Sequence, residues 1–508
     1  MRRSDWVLAL MLAGPAAFAA ESSPAPACAA LSALQHSGWH VESSEWQPAG
    51  FVPPKNFLGE SAPTTRSMCR VVALGTPSSS SAIGFEVWLP EPDQWNGKLL
   101  GLGTGSFLGA IAYELLEDGI RRNYATVSTD YGHVSDSFLG TGWARGNPER
   151  VVDFGYRAQH LVTESAKLVI ERYYGRAASH AYFRGCSMGG RMAMVEATRF
   201  PSDYDGIVAG APPYSYPRYM AGLIWSGQAA LRLSPHGIPA SVAQILHRGA
   251  LRRCGDNSGR IQNPMLCDFD PAELRCGERP SNDCLSEAEI ETARAFYTGP
   301  RDRQGNPIIA GIAVGSELNW RRFVDVAPGE VPGISWVGVL QNFVYQRDDV
   351  DPRSIDFERA FTDAQAAMGL QFDAPPELSA FERRGGKLIL YHGWADGLIP
   401  AQSSVDYVRA VVARLGSDRV EGFLRLFMVP GLAHCSNPDH SQEFGQWGEL
   451  PFMGNREHDI LAALEAWVES GVAPDHITTS TAADGRITET QIVPKFDINT
   501  PSVHARRQ

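Results

Sequence analysis

Apolar and polar positions along this chain keep two rhythms, and the elements they predict alternate. Short β-favouring runs broken by turn residues fill the stretch from about Val72 to Gly132: IGFEVWLP (Ile83–Pro90), KLLGLG (Lys98–Gly103) and YATVSTD (Tyr124–Asp130). Between Phe154 and Tyr173 the apolar positions recur at helical spacing, in AQHLVTESAKLVIERYY. A strand-like run, AYFRG (Ala181–Gly185), leads into a second helical stretch, RMAMVEATRF. The alternation returns late, with GKLILYHG (Gly386–Gly393), the helix DYVRAVVARLG, the strand FLRLFMVPG and the helix DILAALEAWVESG. Strands alternating with helices of this length predict an α/β fold, a mostly parallel sheet covered on both faces. From roughly Tyr214 to Glu377 the rhythm breaks, and Pro, Gly, three tryptophans (Trp225, Trp320, Trp336) and four of the eight cysteines crowd in. That stretch reads as a large inserted lid domain, 214–377, between two parts of one core, 20–213 and 378–508.

Length agrees with this division, since 508 residues exceed one hydrophobic core. With 44% apolar and 20% charged residues the chain is ordinary globular material. A net charge of -12 repels phosphate backbones and anionic headgroups, so nucleic acid and membrane surfaces are not the expected partners. At the N-terminus, Arg2 and Arg3, the short apolar run from Trp6 to Ala13 and Ala17-Phe18-Ala19 predict a signal peptide over residues 1–19. The mature protein is then expected in the periplasm or outside the cell. There an even set of cysteines favours four disulfides over free thiols or metal sites.

Gly185-Cys186-Ser187-Met188-Gly189 forms a GxSxG pentapeptide. Alone it is a weak signal. A strand leading in and a helix leading out make it a nucleophile elbow of the α/β-hydrolase kind, where a strained turn lifts the serine above the sheet edge. A serine hydroxyl needs an imidazole to take its proton and an acid to hold that imidazole in the right tautomer. In this fold the acid and then the histidine follow the serine. Strand LILYHG runs into Asp396, and strand RLFMVPG runs into His434; both positions lie past strand carboxyl ends, where open α/β sheets place their sites. Ser187, Asp396 and His434 are therefore the expected triad. Asp130 and His133 also follow a strand but precede the serine, and are expected to fix a loop. Asp205 is expected to shape the turn into the lid. The glycine-rich run Gly101–Gly109 fits no dinucleotide register; it suits an oxyanion hole instead, with the amides of Gly105 and Met188 as donors.

Taken together, WNGKLLGLGTG, ATVSTDYGH, RGCSMGGRMAMVEATRFPSDYDGIVAGAP, GGKLILYHGWADGLIP and FMVPGLAHC resemble the tannase and feruloyl esterase family, which includes mono(hydroxyethyl) terephthalate hydrolases. The resemblance spans nearly all of the mature chain. It implies the same triad and a Cys186–Cys435 disulfide tying the serine loop to the histidine loop. Cys28–Cys69, Cys254–Cys267 and Cys276–Cys284 are the expected remaining pairs. The resemblance also suggests that His392 lines the substrate pocket, with a buried structural histidine as the other reading. The activity implied is hydrolysis of a small-molecule ester of an aromatic acid, galloyl, feruloyl or terephthaloyl. Trp336, with Trp225 and Trp320, is a candidate for clamping that ring, or else lid core. A catalytically inactive binding protein and a secreted serine peptidase are the alternatives. The family's lid carries a calcium loop with carboxylates spaced roughly as D-x-x-D-G-x-x-x-D. Here Gly255, Ser258 and Gln262 stand where those carboxylates belong, so no metal and no cofactor are expected.

Overall fold

The computed structural model describes residues 24–501 apart from 57–58, 136, 278–282, 328–329, 331, 333, 439–440, 448–453 and 484–485. The expected signal peptide lies outside the described residues. Ten strands form the main sheet: β1 (Gln35–His36), β2 (Trp39–Gln47), β3 (Met68–Gly75), β4 (Ile83–Pro90), β5 (Lys98–Gly103), β6 (Ala125–Thr129), β7 (His180–Cys186), β8 (Gly206–Gly210), β9 (Lys387–Gly393) and β10 (Leu424–Val429). Their order is β1-β2-β3-β4-β6-β5-β7-β8-β9-β10. The strands from β1 to β4 and on to β6 pair antiparallel, and those from β6 to β10 pair parallel.

Parallel strands are buried on both faces and read as unbroken apolar runs. Every residue of β6, β8 and β10 is buried. By contrast β2 alternates buried and exposed positions along WHVESSEWQ, as befits an antiparallel strand near the sheet's edge.

Helices α1 (Tyr113–Arg121), α2 (Ala158–Tyr174) and α3 (Met188–Arg199) follow β5, β6 and β7 in the chain. Between β8 and β9 come α4 (Tyr216–Leu233), α5 (Ala240–Cys254), α6 (Glu287–Thr298) and α7 (Phe357–Phe372), and this excursion adds no strand to the sheet. The bounds expected for the lid fall inside it. Finally α8 (Gln402–Leu415) follows β9, and α9 (Ile460–Ser470) follows β10. Strand residues alternate between two cores. Leu388, Leu390, Leu424 and Leu426 pack with apolar side chains of α2, α3 and α8. Ile389, Tyr391, Phe427 and Val429 pack with those of α1 and α9. A C-terminal hairpin, β11 (His476–Ala483) with β12 (Arg486–Pro494), forms a separate two-stranded sheet.

Trp320 and Trp336 belong to the buried core, which corrects the clamp expectation for Trp336. Trp336 has no exposed surface, donates its indole N–H to the Pro332 carbonyl and packs so closely on Gly227 that a Cβ there would lie 2.7 Å from its Nε1. Trp320 is equally buried, 4.5 Å from the Phe296 ring centroid. Trp225 donates to the Ala295 carbonyl and meets Phe357 edge-on. Asp205 also departs from expectation. GIVAG, which follows it, is the buried strand β8, so Asp205 sits at the sheet end away from the turn into the lid. There it accepts from Ala181 N–H (2.8 Å) and pairs with Arg384 (2.9 Å), joining the starts of β7 and β8.

Candidate active site

The sheet reverses its order of growth beside β5, with β6 on one side and β7 on the other. Such a switch point opens a crevice at the strand carboxyl ends. There β7 ends at Cys186, α3 begins at Met188, and Ser187 between them has φ 62° and ψ -123°. That backbone is costly for a residue with a Cβ, on the order of 1–3 kcal/mol, and persists only if its surroundings enforce it. They do so by close approach. A Cβ on Gly189 would lie 2.5 Å from the Gly103 carbonyl oxygen, so only glycine lets α3 begin this near β5. Ser187 N–H donates to the Gly210 carbonyl (3.0 Å). One turn on, the fully buried Arg191 donates to the carbonyls of Gly155, Phe154 and Phe372, anchoring α3 to the lid's α7.

Asp396 lies on the turn after β9 and is wholly buried. Its Oδ1 accepts from the N–H groups of Leu398 (2.8 Å) and Ile399 (3.0 Å). Its Oδ2 accepts from His434 Nδ1 (2.7 Å) and His392 Nε2 (3.1 Å). Burial by itself would raise this carboxyl's pKa. The charge of His434 and the hydrogen bonds from both histidines outweigh burial and hold it well below the ordinary carboxylate range. A carboxylate oxygen only accepts, so Nδ1 of His434 bears a proton, and in the neutral form of the ring the lone pair is on Nε2. For His392 the proton resides on Nε2, and Nδ1 faces the Ser404 hydroxyl at 2.8 Å. His392 has no exposed surface and does not line the cavity that Ser187 and His434 share, which corrects its expected place against substrate. It is the second imidazole on the acid, and Ser404 behind it carries no signal in the sequence.

Ser187 and His434 line one cavity of about 230 Å³, together with Gly105 and Met188. Met188 is the first residue of α3, where an N–H has no acceptor within the helix. A larger cavity of about 550 Å³ lies between the excursion that follows β8 and the C-terminal hairpin; Ala395 lines it, but Ser187, Asp396 and His434 do not. Asp130 and His133 fix a loop as expected. Asp130 accepts from the N–H groups of Gly84 and Gly132, while His133 meets the Phe107 carbonyl at 3.0 Å and stacks on Trp143.

All four expected disulfides are present, Cys28–Cys69, Cys186–Cys435, Cys254–Cys267 and Cys276–Cys284. Cys186 and Cys435 adjoin Ser187 and His434 and have Cα atoms 6.1 Å apart. This bond closes a separation of 249 residues, which the chain-entropy model values at about 5 kcal/mol. It also sets the spacing of the two loops, where a 1 Å error costs about a hundredfold in rate. The double variant Cys186→Ala/Cys435→Ala is expected to lower Tm and to lose about 10- to 100-fold in kcat below its new Tm. A lower Tm with wild-type kcat at 25 °C contradicts the positioning role.

In the loop after Cys254, Asp256 supplies a carboxylate, and the chain's own donors already surround it. Oδ1 accepts from the Ser258 amide and hydroxyl and the Arg260 amide, and Oδ2 from Gln262 Nε2 (2.8 Å). Arg260, inside the loop, pairs instead with Glu489 of β12 (3.1 Å). This donor set does not fit a hard dication, which asks for six to eight oxygens.

The chain is similar to known proteins over most of its length. The sequence profile of tannase and feruloyl esterase matches residues 69–499. An uncharacterized esterase of Xanthomonas campestris is 34% identical over 94% of this chain and 88% of its own. The mono(2-hydroxyethyl) terephthalate hydrolase of Piscinibacter sakaiensis is 30% identical over 88% of this chain and 82% of its own. The crystal structure of feruloyl esterase B from Aspergillus oryzae superposes with a TM-score of 0.86 at 26% identity, covering 93% of this chain and 96% of that one.

Proposed function

The chain belongs to the tannase and feruloyl esterase family, and we propose that it is an exported serine esterase that hydrolyses esters of aromatic acids through an acyl-enzyme. One observation carries this reading. His434 is held through Nδ1 by Asp396 at 2.7 Å, and it shares a cavity with the strained Ser187.

In the proposed cycle His434 Nε2 takes the proton of Ser187 Oγ as the oxygen attacks the ester carbonyl. Asp396 stays ionised and stabilises the imidazolium. The amides of Met188 and Gly105 hold the oxyanion. The imidazolium then protonates the departing alcohol, and water, activated by the same imidazole, releases the acid. An aromatic acyl group suits a cavity lined by Phe107, Phe138 and Trp447 and agrees with the names of the relatives. Export is supported by the N-terminal charge and apolar pattern and by four disulfides.

A p-nitrophenyl ester assay, run beside a peptide amide and a panel of methyl gallate, methyl ferulate and mono(hydroxyethyl) terephthalate, tests the reading. Turnover of esters with the amide left intact is the expected result. Amide cleavage at comparable rates contradicts it, and so does failure on every ester.

The loop around Asp256 leads to a further expectation, that calcium neither stabilises nor activates the enzyme. A ligand bound only by the native state raises stability by RT ln(1 + [L]/Kd). After chelation, millimolar calcium should leave Tm and kcat unchanged; a clear rise in Tm counts against this account of the loop.

A further inference from the structure

Gly105 lines the cavity that Ser187 and His434 share, on the loop that leaves β5. The loop that leaves β6, the parallel neighbour of β5, holds that segment on either side of Gly105. Before it, the Tyr131 hydroxyl accepts from Thr104 N–H (3.2 Å) and donates to the Leu102 carbonyl (3.3 Å). After it, His133 Nε2 and the Ser135 hydroxyl both donate to the Phe107 carbonyl, each at 3.0 Å. Ser135 Oγ accepts in turn from Gly109 N–H (2.9 Å), and Ser135 N–H donates to the Gly109 carbonyl (3.0 Å). Burial lowers the pKa of His133 to about 4, so at neutral pH the ring is uncharged and its one proton serves the Phe107 carbonyl. Tyr131 is an unusual residue for its position. It has φ 56°, a backbone that a bulky side chain rarely adopts, and it is buried. Neighbours enforce this conformation: Tyr131 N–H donates to the Thr129 hydroxyl (3.1 Å), and Asp130 accepts from Gly132 N–H (2.8 Å). A residue held against its backbone preference points to its side chain as the reason. Burial pushes the phenol pKa up to about 12, so the hydroxyl stays protonated and able to donate.

We propose that Tyr131 and Ser135 are positioning residues for the oxyanion hole, fixing the chain on both sides of Gly105 so that its N–H meets the charge developing on the ester oxygen. This rests on the esterase reading above. Neither side chain needs to touch substrate, and neither lines the cavity. An oxyanion donor works because it is aimed in advance at the place where charge will appear; a donor that must re-aim during the reaction loses that advantage. The Gly105 N–H lies in the plane of the Thr104–Gly105 peptide, so an anchor at Thr104 restrains its direction. Nothing regular does so, since Thr104 and Gly105 lie in neither helix nor strand and Ser106 has φ 53°. Glycine adds its own backbone freedom at the decisive residue. Met188 N–H, by contrast, is aimed by the helix that it begins. Of the two donors, Gly105 is therefore the one that depends on side chains of a neighbouring loop.

The test is Tyr131→Phe, which removes one oxygen and keeps the ring against Phe154. With a p-nitrophenyl ester, kcat should fall about 10- to 100-fold while KM stays within about twofold. Trifluoroacetophenone supplies a reading that a purely structural role would not move. Ser187 Oγ adds to its carbonyl carbon, the serine proton passes to His434, and the ketone oxygen becomes an alkoxide in the oxyanion hole. Its inhibition constant should rise by about the factor by which kcat falls. Ser135→Ala, which loosens the far side of the same segment, should show the same pairing with a smaller loss. Wild-type values of both quantities in Tyr131→Phe overturn the proposal, as does a fall in kcat with an unchanged inhibition constant. If Tyr131→Phe does not fold, Ser135→Ala decides by the same two readings. A wild-type enzyme that hydrolyses no ester overturns the esterase reading and this proposal with it, whereas an active wild type with indifferent variants overturns this proposal alone.

Discussion

Replacing Ser187 with alanine is expected to lower kcat by at least about 10⁴-fold while leaving the fold and substrate binding in place. Alanine retains the Cβ, so it inherits the backbone at φ 62° and the contacts that enforce it. Stability should therefore stay within about 0.5 kcal/mol of wild type. What disappears is the oxygen that forms the acyl bond, and no neighbouring hydroxyl replaces it. Ser106 and Ser436 line the same cavity but stand outside the elbow and its helix N-terminus. Steady-state kinetics with a p-nitrophenyl ester, paired with a thermal melt, checks both halves. A variant keeping a tenth of wild-type kcat removes Ser187 from the mechanism.

The second large effect is expected at the acid, where Asp396→Asn should cost about 10³- to 10⁴-fold in kcat with KM little changed. The carboxylate meets four donors, two backbone amides on Oδ1 and two imidazole N–H groups on Oδ2. An amide has one oxygen. If it serves Leu398 and Ile399, the NH₂ faces the histidines, which must present lone pairs to it. His392 has a way to do so, moving its proton to Nδ1 and donating to Ser404. His434 then carries its proton on Nε2, toward Ser187, and is no longer a base. Loss of activity with intact folding is the expected pattern. Near-wild-type activity in Asp396→Asn contradicts the tautomer argument.

The central strands and the placement of Ser187, Asp396 and His434 at their ends were legible because the same physics writes both. β7, β9 and β10 are covered on both faces and so appear as unbroken apolar runs, and their carboxyl ends point to Ser187, Asp396 and His434. The periphery was less readable. β2 alternates polar and apolar residues as an antiparallel strand near the edge, and α2 is preceded by a π-helical turn, Asp153–Arg157, that shifts its helical register. His392 was misplaced for a specific reason. Four residues of separation put it near the acid, but only the bend after β9 shows that it meets the carboxylate and not the cavity. Trp336 could not be told from a substrate clamp because the lid lacks the periodicity that marks an inward face.

Covalent labelling tests the central claim most directly. The purified enzyme is incubated with a fluorophosphonate, residual esterase activity is followed, and the digested protein is mapped by mass spectrometry. The account predicts one adduct per chain, on the peptide containing Ser187, with activity falling in step with labelling. Full inactivation with Ser187 unmodified, or full activity with Ser187 modified, contradicts it.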